Sequence, residues 1–152
     1  MKIVIAGSRG LPRGQAPRLL ARFLASIPED SAILLRRAKG GSRGIFENDA
    51  YMLARLLDLS PEWREPVPTP EHPGRVSVYI RDLKMIEEAD LVLLFLTPGE
   101  ARDGYSGTMH LLEKALDANR PMYTWVVDES GKVSRWGEYD PDEAFADLVP
   151  KI

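Results

Sequence analysis

The feature that most constrains this chain is Leu91 to Leu96, an unbroken apolar run closed by Thr97-Pro98-Gly99. Such a run, bounded by turn-forming residues, describes a strand covered on both faces, the situation of a central strand in a parallel sheet. A polar, glycine-containing loop follows. Gly107-Thr108 then opens a helix whose apolar positions Leu111, Leu112, Ala115 and Leu116 recur at helical spacing. Strand, loop and helix in this order make the unit of an open α/β sheet. In such sheets ligands collect beyond the carboxyl ends of the strands, where free N–H groups of helix first turns favour an anion. A phosphate-bearing ligand is therefore the first functional expectation.

The same alternation runs through the chain. Lys2 to Ala6 reads as a first strand and Gly7-Ser8-Arg9-Gly10 as its turn. Ala16, Leu19, Leu20, Phe23, Leu24 and Ile27 mark a helix, with Pro17 in its permissive first turn and Pro28 at its end. Ser31 to Leu35 is a second strand, and the connection Arg36 to Gly44 (RRAKGGSRG) leads to a helix marked by Phe46, Ala50, Leu53, Ala54 and Leu57. Five prolines between Pro61 and Pro73 leave room for at most a short edge strand around Trp63 to Val67, so this stretch reads as a loop crossing one end of the sheet. A third helix is expected from about Val78 to Ala89, with Tyr79, Leu83 and Ile86 inward and Arg81, Lys84, Glu87 and Glu88 outward. Pro121 to Val127 is a further strand, and Glu129 to Lys132 turns into a last short strand near Val133 to Trp136. The acidic residues from Gly137 onward suggest one helical turn before Pro150. This pattern predicts a single domain over residues 1–152, with a core over 2–127 and a C-terminal extension over 128–152. Its class is α/β, a three-layer sandwich with a mostly parallel central sheet.

Composition removes several kinds of chemistry. The chain has no cysteine, which excludes thiol catalysis, disulfides and cysteine-ligated zinc. Only Ile3 to Ala6 separate Lys2 from Gly7-Ser8-Arg9, too few apolar residues for a signal-peptide core, and no later run approaches a membrane span. A soluble, cytoplasmic protein without a membrane partner is expected. The net charge of −3 argues against a broad grip on nucleic acid. The charge is unevenly spread: residues 1–43 hold nine Lys or Arg against two acids, and residues 44–152 hold eleven against twenty-one. Several of these early arginines adjoin glycines, where a guanidinium can grip phosphate oxygens as a fork. Arg18, Arg22, Arg36 and Arg37 read as ordinary solvated surface.

Three loops carry the candidate chemistry: Gly7 to Gly10, Gly40 to Gly44, and Gly104 to Thr108. Each follows a predicted parallel strand and precedes a helix, so all three should open on one edge of the sheet. Glycine lets backbone approach a ligand, serine and threonine add hydroxyls, and arginine adds charge. The expected ligand-binding set is Gly7, Ser8, Arg9, Gly41, Ser42, Arg43, Tyr105, Ser106, Gly107 and Thr108. Arg81 joins them from the helix that feeds the central strand, and His110 from one turn inside the following helix. Arg9 and Arg43 would pair with phosphate, and Tyr105 or His110 would meet base or ribose. The first loop lacks the Gly-Lys-Ser/Thr ending of a Walker A motif and is not G-x-G-x-x-G, so ATP hydrolysis and ordinary dinucleotide binding lose their main warrants. Neither His72 nor His110 has a partner at metal-ligand spacing, and no metal or cofactor is expected beyond a nucleotide ligand. Acid–base candidates are His110, Asp103 and Glu113; the Glu113/Asp117 pair reads as facing solvent.

At these residues the chain resembles the SLOG superfamily, the Rossmann-like group that includes DprA-type DNA-processing proteins and LOG-type nucleotide phosphoribohydrolases. The matching pieces are the first strand with Gly7-Ser8-Arg9, the second with Gly40 to Gly44, Arg81 to Met85 ahead of Ala89-Asp90, and Gly107-Thr108-Met109-His110. They span roughly residues 2 to 127. The resemblance implies a Rossmann-like fold and nucleotide binding at the strand ends, with phosphate on the Gly107-Thr108 helix start. Two departures stand out: Ile45-Phe46 follow Gly44 where an aspartate is usual, and Leu111 occupies the place of the glutamate that serves glycosidic hydrolysis in LOG-type enzymes. The expectation is therefore a sensor, carrier or sequestering module for a nucleotide or nucleotide-derived ligand. An N-glycosidic hydrolase or transferase using His110, Asp103 or Glu113 is the alternative, and a DprA-like single-stranded DNA-binding or protein-interaction module the next. The resemblance also implies a possible homodimer, which the apolar residues of the second and fourth helices could serve.

Overall fold

A computed structural model describes residues 1–38, 44–104 and 106–151. Its centre is a six-stranded sheet in the order β3-β2-β1-β4-β5-β6. The strands are β1 (Lys2–Gly7), β2 (Ala32–Arg36), β3 (Ser60–Arg64), β4 (Leu91–Leu96), β5 (Met122–Val127) and β6 (Val133–Tyr139). All neighbours pair in parallel except β6, which returns antiparallel to β5. Helices α1 (Gln15–Ser26), α2 (Ile45–Leu56), α3 (Arg75–Glu88), α4 (Pro98–Asp103) and α5 (Gly107–Asp117) occupy the connections. This is the Rossmann-like three-layer arrangement expected from the sequence.

The alternation of side chains along each strand builds two cores. Ile3, Ile5, Ile33, Leu35, Leu93 and Phe95 face α1 and α2, joined by Leu20, Leu24 and Ala50. Val4, Ala6, Leu34, Val92 and Leu94 face the opposite way, against Met85 and Ile86 of α3 and Leu111 and Ala115 of α5. Every residue of β4 is buried, as its unbroken apolar run required. Val149, with Phe145 and Leu148 beside it, closes the first core from the C-terminal segment. Among the described residues no helix is long and apolar enough to cross a membrane.

Three local expectations are corrected. The stretch after β4 is not all loop: Thr97 caps α4, its hydroxyl accepting from Glu100 N–H at 3.2 Å, Pro98 takes the first turn, and Gly104 ends the helix at φ 70°. Next, β3 begins at Ser60 rather than near Trp63, because an edge strand pairs through one side only and tolerates Pro61 opposite Ile33. Finally, α3 begins at Arg75 and buries Ser77, Asp82, Met85 and Ile86, while Tyr79 and Leu83 are 46% and 38% exposed. Its polar inward residues lie toward the strand ends, so apolar spacing alone pointed to a rotated face. Arg81, expected outward, has a side chain only 9% exposed.

Candidate functional site

Central β1 has β2 on one side and β4 on the other, and the helices that follow β1 and β4 leave on opposite faces of the sheet. That reversal opens a crevice at the carboxyl ends of the strands. A cavity of about 720 Å³ occupies it.

The floor depends on how closely backbone can approach. A Cβ on Gly7 would lie 2.4 Å from Phe46 Cγ, so the glycine allows α2 to pack against the end of β1. Phe46 in turn packs on Phe95 of β4, ring centroids 4.9 Å apart. With α2 fixed there, Glu47 reaches under the turn and accepts the Gly7 N–H at 2.9 Å. Glu47 thus places a carboxylate directly beneath the first turn. The legible signal was an acid in the first turn of a helix just after a glycine cluster.

Arg36, expected as surface charge, is a half-buried connector. Its Nη2 lies 3.3 Å from Gly7 O, 3.0 Å from Glu47 Oε1 and 3.1 Å from Thr108 Oγ1. The Arg36 and Glu47 side chains are 16% and 4% exposed. One guanidinium nitrogen thus joins β1, α2 and α5. Because Thr108 Oγ1 accepts from Arg36, its own proton remains available to donate. Ser106 caps α5 by accepting from Met109 N–H at 3.1 Å. A Cβ on Gly107 would lie 3.3 Å from Arg36 Nη1. A helix N-terminus and a guanidinium, both positive, meet at that point, and an anion is favoured by each.

The opposite wall comes from the β2 end and α3. Arg37 Nε lies 2.6 Å from Glu65 Oε1, and its guanidinium carbon sits 5.6 Å from the centroid of the Trp63 ring. Arg81 Nη1 donates to Arg37 O at 3.1 Å and its Nε to Asp82 Oδ1 at 2.8 Å. Asp82, 1% exposed, has its other oxygen 3.2 Å from His110 Nδ1. Five arginines (Arg9, Arg36, Arg37, Arg75, Arg81) stand in the cavity wall against three acids (Glu47, Asp82, Glu100). Arg9 and Arg75 are exposed and pair with no carboxylate among the described residues. The excess of positive charge in a concavity focuses a field that draws anions. Pro66, Pro68 and Val78 add an apolar side.

Of the residues expected from sequence, Gly7, Ser8, Arg9, Arg81, Ser106, Gly107 and Thr108 come together around this cavity. Gly41, Ser42, Arg43 and Tyr105 lie outside the described residues. His110 stands behind the wall rather than in it, between Asp82 and Tyr79, whose ring centroid is 4.4 Å from its own. Asp103 is exposed beside Arg102, and Glu113 is exposed on α5; neither reaches the cavity. His72 occupies an exposed turn, its N–H bonded to Thr69. Arg36, Arg37, Glu47, Asp82 and Arg75 were not anticipated as wall residues. Comparison of the chain with protein-family models, with curated proteins and with solved structures finds no match in any of the three.

Proposed function

We propose that this chain binds a nucleotide or nucleotide-derived ligand at the carboxyl edge of its sheet, as a sensor, carrier or sequestering module. The observation that carries this reading is the arginine-rich cavity at the strand ends, where the start of α5 and Arg36 converge. Its volume of about 720 Å³ falls within the range of roughly 300–1,000 Å³ usual for small-molecule sites. The motif residues shared with SLOG proteins, Gly7-Ser8-Arg9 and Gly107-Thr108, support the same ligand class. Binding is preferred over glycosidic cleavage because Asp103 and Glu113 lie away from the cavity and His110 is engaged with Asp82. The net charge of −3, with arginines gathered in a concavity, supports a small anion over single-stranded DNA. A cytoplasmic setting belongs to this reading.

Thermal unfolding with nucleoside monophosphates, cyclic nucleotides and ADP-ribose derivatives tests it. A ligand present at about 100 times its Kd should raise Tm by roughly 5–10 °C. Arg9→Ala and Thr108→Ala should remove most of that rise. A panel that moves Tm nowhere, or a rise that survives both substitutions, would rule the reading out.

A further inference from the structure

One group behind the cavity wall can change the charge of the wall itself. Arg81 and Asp82 line the cavity and His110 does not. The three are nevertheless joined in a row: Arg81 Nε donates to Asp82 Oδ1 at 2.8 Å, and Asp82 Oδ2 lies 3.2 Å from His110 Nδ1. The Arg81 and Asp82 side chains are only 9% and 2% exposed, so solvent screens their charges weakly. The imidazole is 18% exposed and packs beside the half-exposed ring of Tyr79, which leaves it in exchange with solvent protons.

The net charge of the row turns on one proton. With a neutral imidazole, the Asp82 carboxylate and the Arg81 guanidinium cancel. With a protonated imidazole, one carboxylate faces two cations and the row gains a positive charge next to the cavity. The surroundings hold few other charges. Among the described residues, α3 presents Tyr79 and Asp82 to the imidazole, with Arg81 beyond Asp82. The faces of β4 and β5 against α5 carry Val92, Leu94 and Met122, none of which titrates. On α5 itself, Glu113 is exposed and Lys114 lies 3.8 Å from Asp117, while Arg36 reaches Thr108 from the cavity side.

We propose, on the strength of the anion-binding reading above, that His110 makes the cavity sensitive to pH: its protonation, relayed through Asp82 to Arg81, tightens the hold on a bound anion. His110 is thus a positioning residue that acts through the wall and touches no ligand. Histidine ordinarily takes up its proton as pH falls from about 8 to about 5, so anion affinity should rise over that interval. By linkage, a bound anion makes the imidazole keep its proton to higher pH.

The probe is sulfate, whose charge is constant over this range, titrated into the intact protein at fixed ionic strength and followed by NMR. Affinity should rise about 3- to 10-fold between about pH 8 and about pH 5.5. His110→Gln keeps an amide to donate to Asp82 but carries no charge, and should abolish the rise. His72→Gln removes the only other histidine of the chain and should preserve it. The amino terminus, which also titrates here, precedes β1 and lies at the opposite end of the sheet from the cavity. A flat wild-type profile, a rise that survives His110→Gln, or a rise lost in His72→Gln overturns the assignment and leaves the anion site standing. Absence of sulfate binding at every pH overturns the assignment together with that site. Should His110→Gln fail to fold, the wild-type imidazole decides: saturating sulfate should move its NMR titration to higher pH, and an unmoved titration defeats the proposal.

Discussion

The cavity floor and the β5–β6 edge both bury polar groups beside aromatic rings, but the first lines an open volume and the second closes on its own chain. Along β5–β6, Tyr123 donates to Asp140 Oδ2 at 2.7 Å, and the oxygens of Asp140 also take the N–H groups of Ala144 and Phe145. Thr124 donates to Gly137 O at 2.9 Å, and the Arg135 guanidinium lies 4.9 Å and 5.0 Å from the ring centroids of Tyr123 and Trp125. Among the described residues the Trp125 indole N–H has no hydrogen-bond partner, while the side chains of Tyr123, Thr124 and Asp140 are bonded within the chain. At the floor, Glu47 Oε1 takes Gly7 N–H and Arg36 Nη2, and all three residues line the open cavity. Polar groups closed on one another hold a fold together, whereas a guanidinium and a helix N-terminus beside an open volume also favour an arriving anion.

The sharpest way to break this comparison is to remove one arginine from each region. Arg36→Met leaves Glu47 buried without its counter-charge and should cost about 3–5 kcal/mol of stability. Arg135→Met removes a stacked cation whose partner Glu138, 3.7 Å away, is 59% exposed, and should cost about 1 kcal/mol or less. Urea unfolding of both variants reads the difference. Similar losses would mean that the two regions play the same structural part.

A smaller effect separates the glycines of the same two regions. Gly7→Ala places a methyl group 2.4–2.8 Å from Phe46 atoms already packed on Phe95, an overpacking expected to cost about 1–3 kcal/mol. It should also weaken ligand binding, because α2 carries Glu47. At Gly137→Ala the added atom meets, among the described residues, only Thr124 Oγ1, at 3.3 Å, and the loss should stay below about 1 kcal/mol. Thermal melts of the pair, with and without the best nucleotide of the panel, distinguish a packing defect from a lost site.

These contrasts also show why sequence reading reached some residues and not others. The alternating strands, the doubly buried β4 and the glycine turns were legible because each depends on neighbours in sequence. Ser8, Arg9 and Thr108 followed from their places after strands. Arg36 and Glu47 did not, since their roles come from contacts across 29, 11 and 72 residues of chain. Nothing local distinguishes Arg36 from the solvated Arg22. Asp82 was hidden differently: the apolar spacing of Tyr79, Leu83 and Ile86 suggested one inward face, and a polar cavity at the strand ends selected another. Pro98 and Gly104 did announce α4, but six residues were too few for hydrophobic periodicity to register.

The smallest effect sharpens the comparison from the saturated side and depends on pH. Burial pushes the Tyr123 phenol above its ordinary pKa of 10.0; its hydrogen bond to Asp140 and the nearby negative charges push the same way, and only Arg135 opposes them. The folded state therefore holds this proton after the unfolded chain has released it. The stabilisation is complete below a pH of about 10 and declines above it, by up to about 1.4 kcal/mol per pH unit for one proton. Tyr123→Phe removes both the hydrogen bond and the proton, so at neutral pH it should cost about 1 kcal/mol. Above pH 10 the wild-type protein should lose stability faster than the variant, and the two curves should converge. Other tyrosines titrate in both proteins and cancel in the difference. Unfolding measured from pH 7 to 11 gives the result: a constant gap between the curves would show that Asp140 holds the C-terminal turn without help from the phenol proton. Ligand affinity at neutral pH should be untouched, since neither Tyr123 nor Asp140 lines the cavity.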